Sequence, residues 1–272
     1  MSHPFDLLME LKPHQIRLDC AALHLARDCY PTLNIGRYLG ILDALAEEVA
    51  ALRPGLAATL RYRAMREVLV RRRGLTGNRE HYYDPRNCYL NFVLDTNRGI
   101  PITLSTVWIE IGRRLKWPVA GVALPGHFIV RFDDPEQFVL ADPFHDGRSL
   151  SIGDCRRIVY ERFGDDLPFR RSYLRPVSNR GILARLLRNL RNVYLAANDL
   201  PRLACILRRM AAVEPKNGRH LQDLAAVACR QGDVRSACAH LNLYLRRVPR
   251  APDSARVRRS LRVLEAALVA LN

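Results

Sequence analysis

The last third of the chain repeats itself at a fixed interval, and that interval constrains the fold more than any other feature. Pro215 and Pro249 stand 34 residues apart, as do Leu190 and Leu224, Asp199 and Asp233, and Leu207 and Leu241. Asn198-Asp199 and Gly232-Asp233 fall at matching places between two apolar-periodic segments, with Leu203 and Ala237 equivalent behind them. Gly-Asp and Asn-Asp between helical patterns read as a tight turn followed by a helix N-cap. A repeat this short is one helix pair that cannot bury its apolar face alone, so successive pairs must stack.

A helix–turn–helix period of 34 residues closed by proline resembles the tetratricopeptide repeat. Ala237 stands at the position where paired helices approach closely. The first repeat has Leu203 there, and Arg191 and Ala225 replace the glycine usual early in helix A. Two repeats and a last helix, Ser254–Leu271, fall short of the roughly three repeats needed for independent stability. A fragment of residues 178–272 alone is therefore expected to fold poorly. The resemblance implies an all-α module that binds a protein or peptide.

Charge is concentrated in the same region. Residues 1–177 carry 25 Lys+Arg and 21 Asp+Glu, a net of +4, whereas residues 178–272 carry 18 and 6, a net of +12. Only Lys12, Lys116 and Lys216 are lysines. An arginine-rich face either is simply solvated or attracts an acidic partner, protein or nucleic acid. The arginine-rich helices lack the interleaved aromatics used to stack single-stranded bases, which ranks nucleic acid below protein.

The preceding residues have a different texture. Residues 6–73 show helical periodicity, with Ile41, Leu42, Leu45, Val49 and Leu52 on one face and Pro54-Gly55 as a stop. Asn87–Leu94 reads as a short helix and Ile102–Lys116 as an amphipathic one with Pro101 in its first turn, where the missing N–H costs nothing. Short β-type runs follow at Val119–Leu124, His127–Phe132 and Phe138–Ala141, and β character extends to about Pro176. The reading is an α+β domain over 1–177, helical in 1–85 with an α+β core over 86–175, and an all-α module over 178–272. No run approaches the roughly 18 apolar residues of a membrane span. The first ten residues lack a secretory pattern, and seven scattered cysteines show no metal spacing. The expected setting is the cytoplasm, with no membrane role. Cys20, Cys205, Cys229 and Cys238 fall at apolar helical positions.

The middle segment carries the chemistry-bearing residues. It reads Gly99-Ile-Pro-Ile-Thr-Leu-Ser105, a helix, Pro125-Gly-His127-Phe128, then Asp142-Pro-Phe144. A helix, a strand opening in histidine and a strand ending in aspartate resemble the core of the transglutaminase-like superfamily, which has a papain-like fold. That resemblance implies a Cys–His–Asp triad, in which a helix N-terminus favours a thiolate, histidine exchanges the proton and aspartate orients the ring. His127 and Asp142 take the second and third places; the nucleophile's place falls on Pro101. With Asn87-x-Tyr-Leu-Asn91 and the C-terminal repeats, the motif set resembles the SirB-type branch, described as regulators of SirC expression. That branch itself carries proline at the nucleophile's place. Cys88 departs from it, serine being usual there. Asn87, Pro101, Gly126 and Phe128, within these motifs, become candidate binding residues.

Alternatives stay open. His127 is either a retained base or binding group, or a buried structural partner of Asp142. Ser105 is a substitute nucleophile only if a base reaches it, although it lies a turn inside the helix; Thr103 suits a first-turn hydrogen bond. His127, Asp142 and His145 could in principle ligate a metal, but Asp142-x-x-His145 is a weak spacing, so no metal and no cofactor is expected. Cys88 suits core packing, and Arg71-Arg-Arg73 suits a helix end. The first functional reading is a non-catalytic scaffold with a peptide-binding repeat module and a regulatory role. The second is an amidase or acyl-transfer enzyme using His127 and Asp142 with an unconventional nucleophile.

Overall fold

The computed structural model describes residues 3–270; Met1, Ser2 and Leu271, the last residue of the expected final helix, lie outside them. The chain divides by its internal contacts into two units. One is Leu11–Leu186; the other combines the chain's start through Glu10 with everything from Leu187 onward. No helix among the described residues is long and apolar enough to cross a membrane.

The first unit is α+β, as the residue patterns predict. It contains α2 (Leu18–Ala26), α3 (Ile35–Ala51), α4 (Ala58–Arg66, continued by π-turns over Glu67–Arg72), α5 (Leu90–Thr96) and α6 (Pro101–Arg114). A four-stranded antiparallel sheet follows in the order β3 (Val119–Val122), β4 (Ile129–Asp133), β5 (Phe138–Asp142) and β6 (Arg148–Leu150). A two-residue parallel pair, β1 (Thr76–Gly77) with β2 (Arg98–Gly99), ties the loop after α4 to the start of α6. Helix α7 (Ile152–Phe163) and the first residues of α8 (Asn179–Ala196) complete the unit.

Helix α6 is the axis of this unit. It packs on α2, α3 and α5 and on β3 and β4, so all residues from Pro101 to Gly112 are buried. The amphipathic expectation for this helix was too weak: its polar residues are inside as well. They are tolerated because most find partners. Thr106 Oγ1 donates to Ile102 O at 2.9 Å, and Glu110 accepts the backbone N–H of Leu18 at 3.0 Å.

Two elements were not anticipated. Strand β6 and helix α7 occupy part of the stretch read as continuing β structure. Helix α7 starts at a capping box, with Asp154 N–H donating to Ser151 Oγ at 3.0 Å and Ser151 N–H to Asp154 Oδ2 at 2.9 Å. That Ser-x-x-Asp signal was legible in the sequence. Its apolar residues, among them Cys155 and Val159, join a core with Val122, Leu124, Ile129 and Leu140 of the sheet region.

The second unit carries the repeat in its backbone as well as its residues. Helices α8, α9 (Leu200–Val213), α10 (Arg219–Arg230), α11 (Val234–Arg247) and α12 (Ser254–Ala270) follow in order, with α9 through α12 each packed on the next. Asn198 and Gly232 both take positive φ, 55° and 76°. The residues after them cap α9 and α11: Asp199 accepts from Arg202 N–H at 3.1 Å and Asp233 from Ser236 N–H at 2.9 Å. The chain also leaves both helices alike, at φ −120° for Glu214 and −131° for Val248. Leu190, Leu203, Leu207, Leu224, Ala237 and Leu241 are all buried. Cys238 is buried too, but Cys229 is exposed, against its assignment to an apolar face.

Helix α1 (Pro4–Leu8) belongs to this unit, packing on α9. Phe5 is fully buried, and Arg209 Nη1 donates to Asp6 Oδ2 at 2.8 Å.

Candidate functional site

The pairing of β4 with β5 sets Val130 opposite Ala141, which brings the residues flanking those positions together. His127 precedes β4 rather than opening it. Leu124 O accepts from His127 N–H at 2.9 Å across a turn whose third residue, Gly126, has φ +78°. A type II turn requires that conformation at its third position, and glycine supplies it without steric cost. Asp142 ends β5 and caps the short turn Pro143–His145, its Oδ1 accepting from Phe144 N–H at 3.1 Å and His145 N–H at 3.3 Å.

The result is a histidine–aspartate–histidine cluster. His127 Nε2 lies 2.9 Å from Asp142 Oδ1, and His145 Nδ1 lies 2.6 Å from Asp142 Oδ2. In the first contact the ring nitrogen approaches Oδ1 closely without the alignment of a hydrogen bond. Arg148 Nη2 stands 3.7 Å from Oδ2. Asp142 is fully buried and His127 is 9% exposed. Burial by itself would raise the Asp142 carboxyl, but His127 and His145 outweigh it and hold it well below the usual carboxylate range.

Aromatic rings border the cluster. Phe144 lies edge-on to His127 at 6.4 Å and to Tyr82 at 5.7 Å, and Tyr82 is edge-on to Tyr83, which is 81% exposed. Neither tyrosine stands out in the sequence, since no periodicity marks the irregular loop that carries them. Asn87, fully buried, fastens that loop: its Nδ2 donates to His81 O at 2.6 Å, and its Oδ1 accepts from Asn78 Nδ2 at 2.9 Å.

At the α6 N-terminus Pro101 is the first helical residue and is buried. Thr103 makes the expected first-turn bonds, its Oγ1 accepting from Ile100 N–H at 3.2 Å and donating to Asn87 O at 2.8 Å. Ser105 is fully buried and its hydroxyl has no hydrogen-bond partner among the described residues. Phe128 is buried under the guanidinium of Arg185. The Cys88 thiol is buried and pushed up to about 12 by desolvation, so it carries negligible thiolate near neutral pH.

An unbonded buried hydroxyl contributes nothing to offset its desolvation. Ser105→Ala should accordingly leave the urea midpoint unchanged or raise it slightly. A loss above about 1 kcal/mol would show that the hydroxyl has a partner in solution.

Known proteins share both halves of this arrangement. Residues 36–188 match the transglutaminase-like superfamily and residues 190–262 the tetratricopeptide repeat. A UPF0162 protein of Xylella fastidiosa is 35% identical over 90% of this chain and 89% of its own length. The UPF0162 protein of Pseudomonas aeruginosa is 32% identical over 70% of this chain and 73% of its own. Human F-box only protein 21 is 32% identical over 104 residues, 35% of this chain and 17% of that protein. With the histidine–aspartate pair behind a helix that begins at Pro101, and with helical repeats following, the chain belongs to the transglutaminase-like superfamily, among the UPF0162 proteins.

Proposed function

We propose that this protein is a non-catalytic transglutaminase-like scaffold whose repeat unit holds an acidic protein or peptide, in a regulatory role like that described for SirB-type proteins. The observation that carries the reading is the unused positive charge of the repeats. Arg208, Arg247, Arg258, Arg259 and Arg262 are exposed and make no ion pair among the described residues. Exposed guanidiniums without internal partners are available for carboxylates, which they engage in bidentate fashion. Tetratricopeptide repeats are suited to this task because stacked helix pairs present an extended binding surface.

On the catalytic side, Pro101 offers no nucleophile and the Ser105 hydroxyl meets no base. The contact of His127 with Asp142 at 2.9 Å favours the acyl-transfer reading. It leaves that reading without an attacking group.

The test is fluorescence anisotropy with a labelled Asp/Glu-rich peptide, a neutral peptide of equal length and a single-stranded oligonucleotide. The acidic peptide should bind, more weakly as salt rises. The triple variant Arg258→Glu, Arg259→Glu, Arg262→Glu should weaken it at least about tenfold, which is 1.4 kcal/mol. Tighter binding of the oligonucleotide would replace the protein partner with nucleic acid. Binding of neither probe would remove the reading.

A further inference from the structure

The cluster around Asp142 has the composition and convergence of a cation site. His127, Asp142 and His145 each offer a ligand atom, and these atoms lie within 4.8 Å of one another. They come from separate local structures held together by the β4–β5 pairing: a turn before β4, the end of β5 and the short turn after it. We propose that these three side chains bind a divalent cation, zinc being the ion their donor set fits best. Two imidazole nitrogens and one carboxylate oxygen are a three-ligand zinc set, in which a water takes the fourth place.

The division of labour within Asp142 supports this. Oδ1 is occupied by the backbone N–H groups of Phe144 and His145, which fixes the carboxylate's orientation. Oδ2 points at His145 Nδ1. One oxygen anchored by outer partners and one directed at the ligand position is the pattern of a supported metal-binding carboxylate. His127 supplies the second observation. Its Nε2 is buried without an aligned hydrogen bond, although buried polar atoms are nearly always bonded. A cation bound by Nε2 would satisfy it.

Distance and charge set what must move. Tetrahedral zinc with bonds of about 2.0–2.2 Å separates its ligand atoms by roughly 3.4 Å. The 2.6 Å contact between His145 Nδ1 and Asp142 Oδ2 must therefore open by roughly 0.8 Å. His145 is the residue able to give way, since its side chain is 39% exposed and sits on a short turn. The guanidinium of Arg148, 3.7 Å from Oδ2 and 47% exposed, can swing into solvent. The cysteines supply none of these ligands; Cys155, the nearest in sequence, is buried with its thiol pushed up to about 11.

The experiment uses the full chain, stripped with a chelator and titrated with cobalt(II) and zinc(II) by calorimetry and visible absorption. One equivalent of cobalt should bind with the intense visible bands of a four- or five-coordinate ion, and zinc should displace it. His145→Ala, on a half-exposed turn, should retain the fold by circular dichroism and weaken zinc at least about 100-fold. His127→Gln, which keeps the side chain's bulk, should do the same. A chain that takes up no cobalt or zinc at millimolar metal overturns the proposal. So does binding left unchanged in both variants, which would place the ion elsewhere. Neither outcome bears on the arginine-dependent peptide binding, because the two tests share no residue.

Discussion

Replacing Arg114 with alanine should cost the Leu11–Leu186 unit about 3–5 kcal/mol, the usual effect of leaving buried charges without their partner. Arg114 stands at the end of α6 and is itself 9% exposed. Its guanidinium meets Asp19 Oδ2 at 2.8 Å, Glu110 Oε2 at 3.0 Å and Asp43 Oδ1 at 2.6 Å. Asp19 is fully buried and Glu110 is 1% exposed, so water cannot replace the lost contacts. Arg17 and Arg113 remain on Asp19 and Arg113 on Glu110, which holds the effect toward the lower end of that range. Urea unfolding at neutral pH checks this, and a loss below about 1 kcal/mol would mean that the cluster is solvated.

The same cluster gives the pH dependence. Burial pushes Asp19 up, but the Arg17 and Arg114 guanidiniums outweigh it and leave its carboxyl well below the usual range. Its folded pKa thus lies under its unfolded value of about 4, so its stabilising contribution is present above that pH and is lost as pH falls below it. Glu110 behaves oppositely. Burial, then the Asp19 charge, raise it, so its contribution is present at low pH and is lost as pH rises through its folded pKa. Removing Arg114 weakens the depression of Asp19, and the variant's stability should fall less steeply than the wild type's between pH 4 and acid.

Phe5→Ala should expose the second unit to unfolding, at a cost of about 3–5 kcal/mol for a fully buried phenylalanine. Phe5 sits in a five-residue helix that packs on α9 and is tied to it by Asp6 and Arg209. Two repeats and a last helix have little apolar surface to share, and α1 adds to it. Hydrogen exchange on the full chain is the measurement: amides of α9 should lose at least about 100-fold of their protection, the equivalent of 2.7 kcal/mol. Unchanged protection in α9 would show that α1 is an ornament of the unit. A fragment of residues 178–272 lacks this helix, which adds a reason for it to fold poorly.

Local rules carried much of this protein. The 34-residue period, the Asn198-Asp199 and Gly232-Asp233 caps, and the α6 start at Pro101 are legible because each depends on residues within one or two turns of one another. The order of His127 and Asp142 behind α6 was legible for the same reason, since alternating apolar residues and a Pro-Gly turn mark the strands between them. Tertiary structure decided the rest. Asp19 and Arg114 are 95 positions apart, and Asp6 and Arg209 are 203 apart; no spacing rule joins residues that meet only when particular helix faces meet. The burial of α6 all round follows from what packs on its second face, which its own periodicity does not encode. His145 reaches Asp142 because the chain turns tightly over Pro143–His145; the same Asp-x-x-His spacing in a strand would put the two side chains on opposite faces.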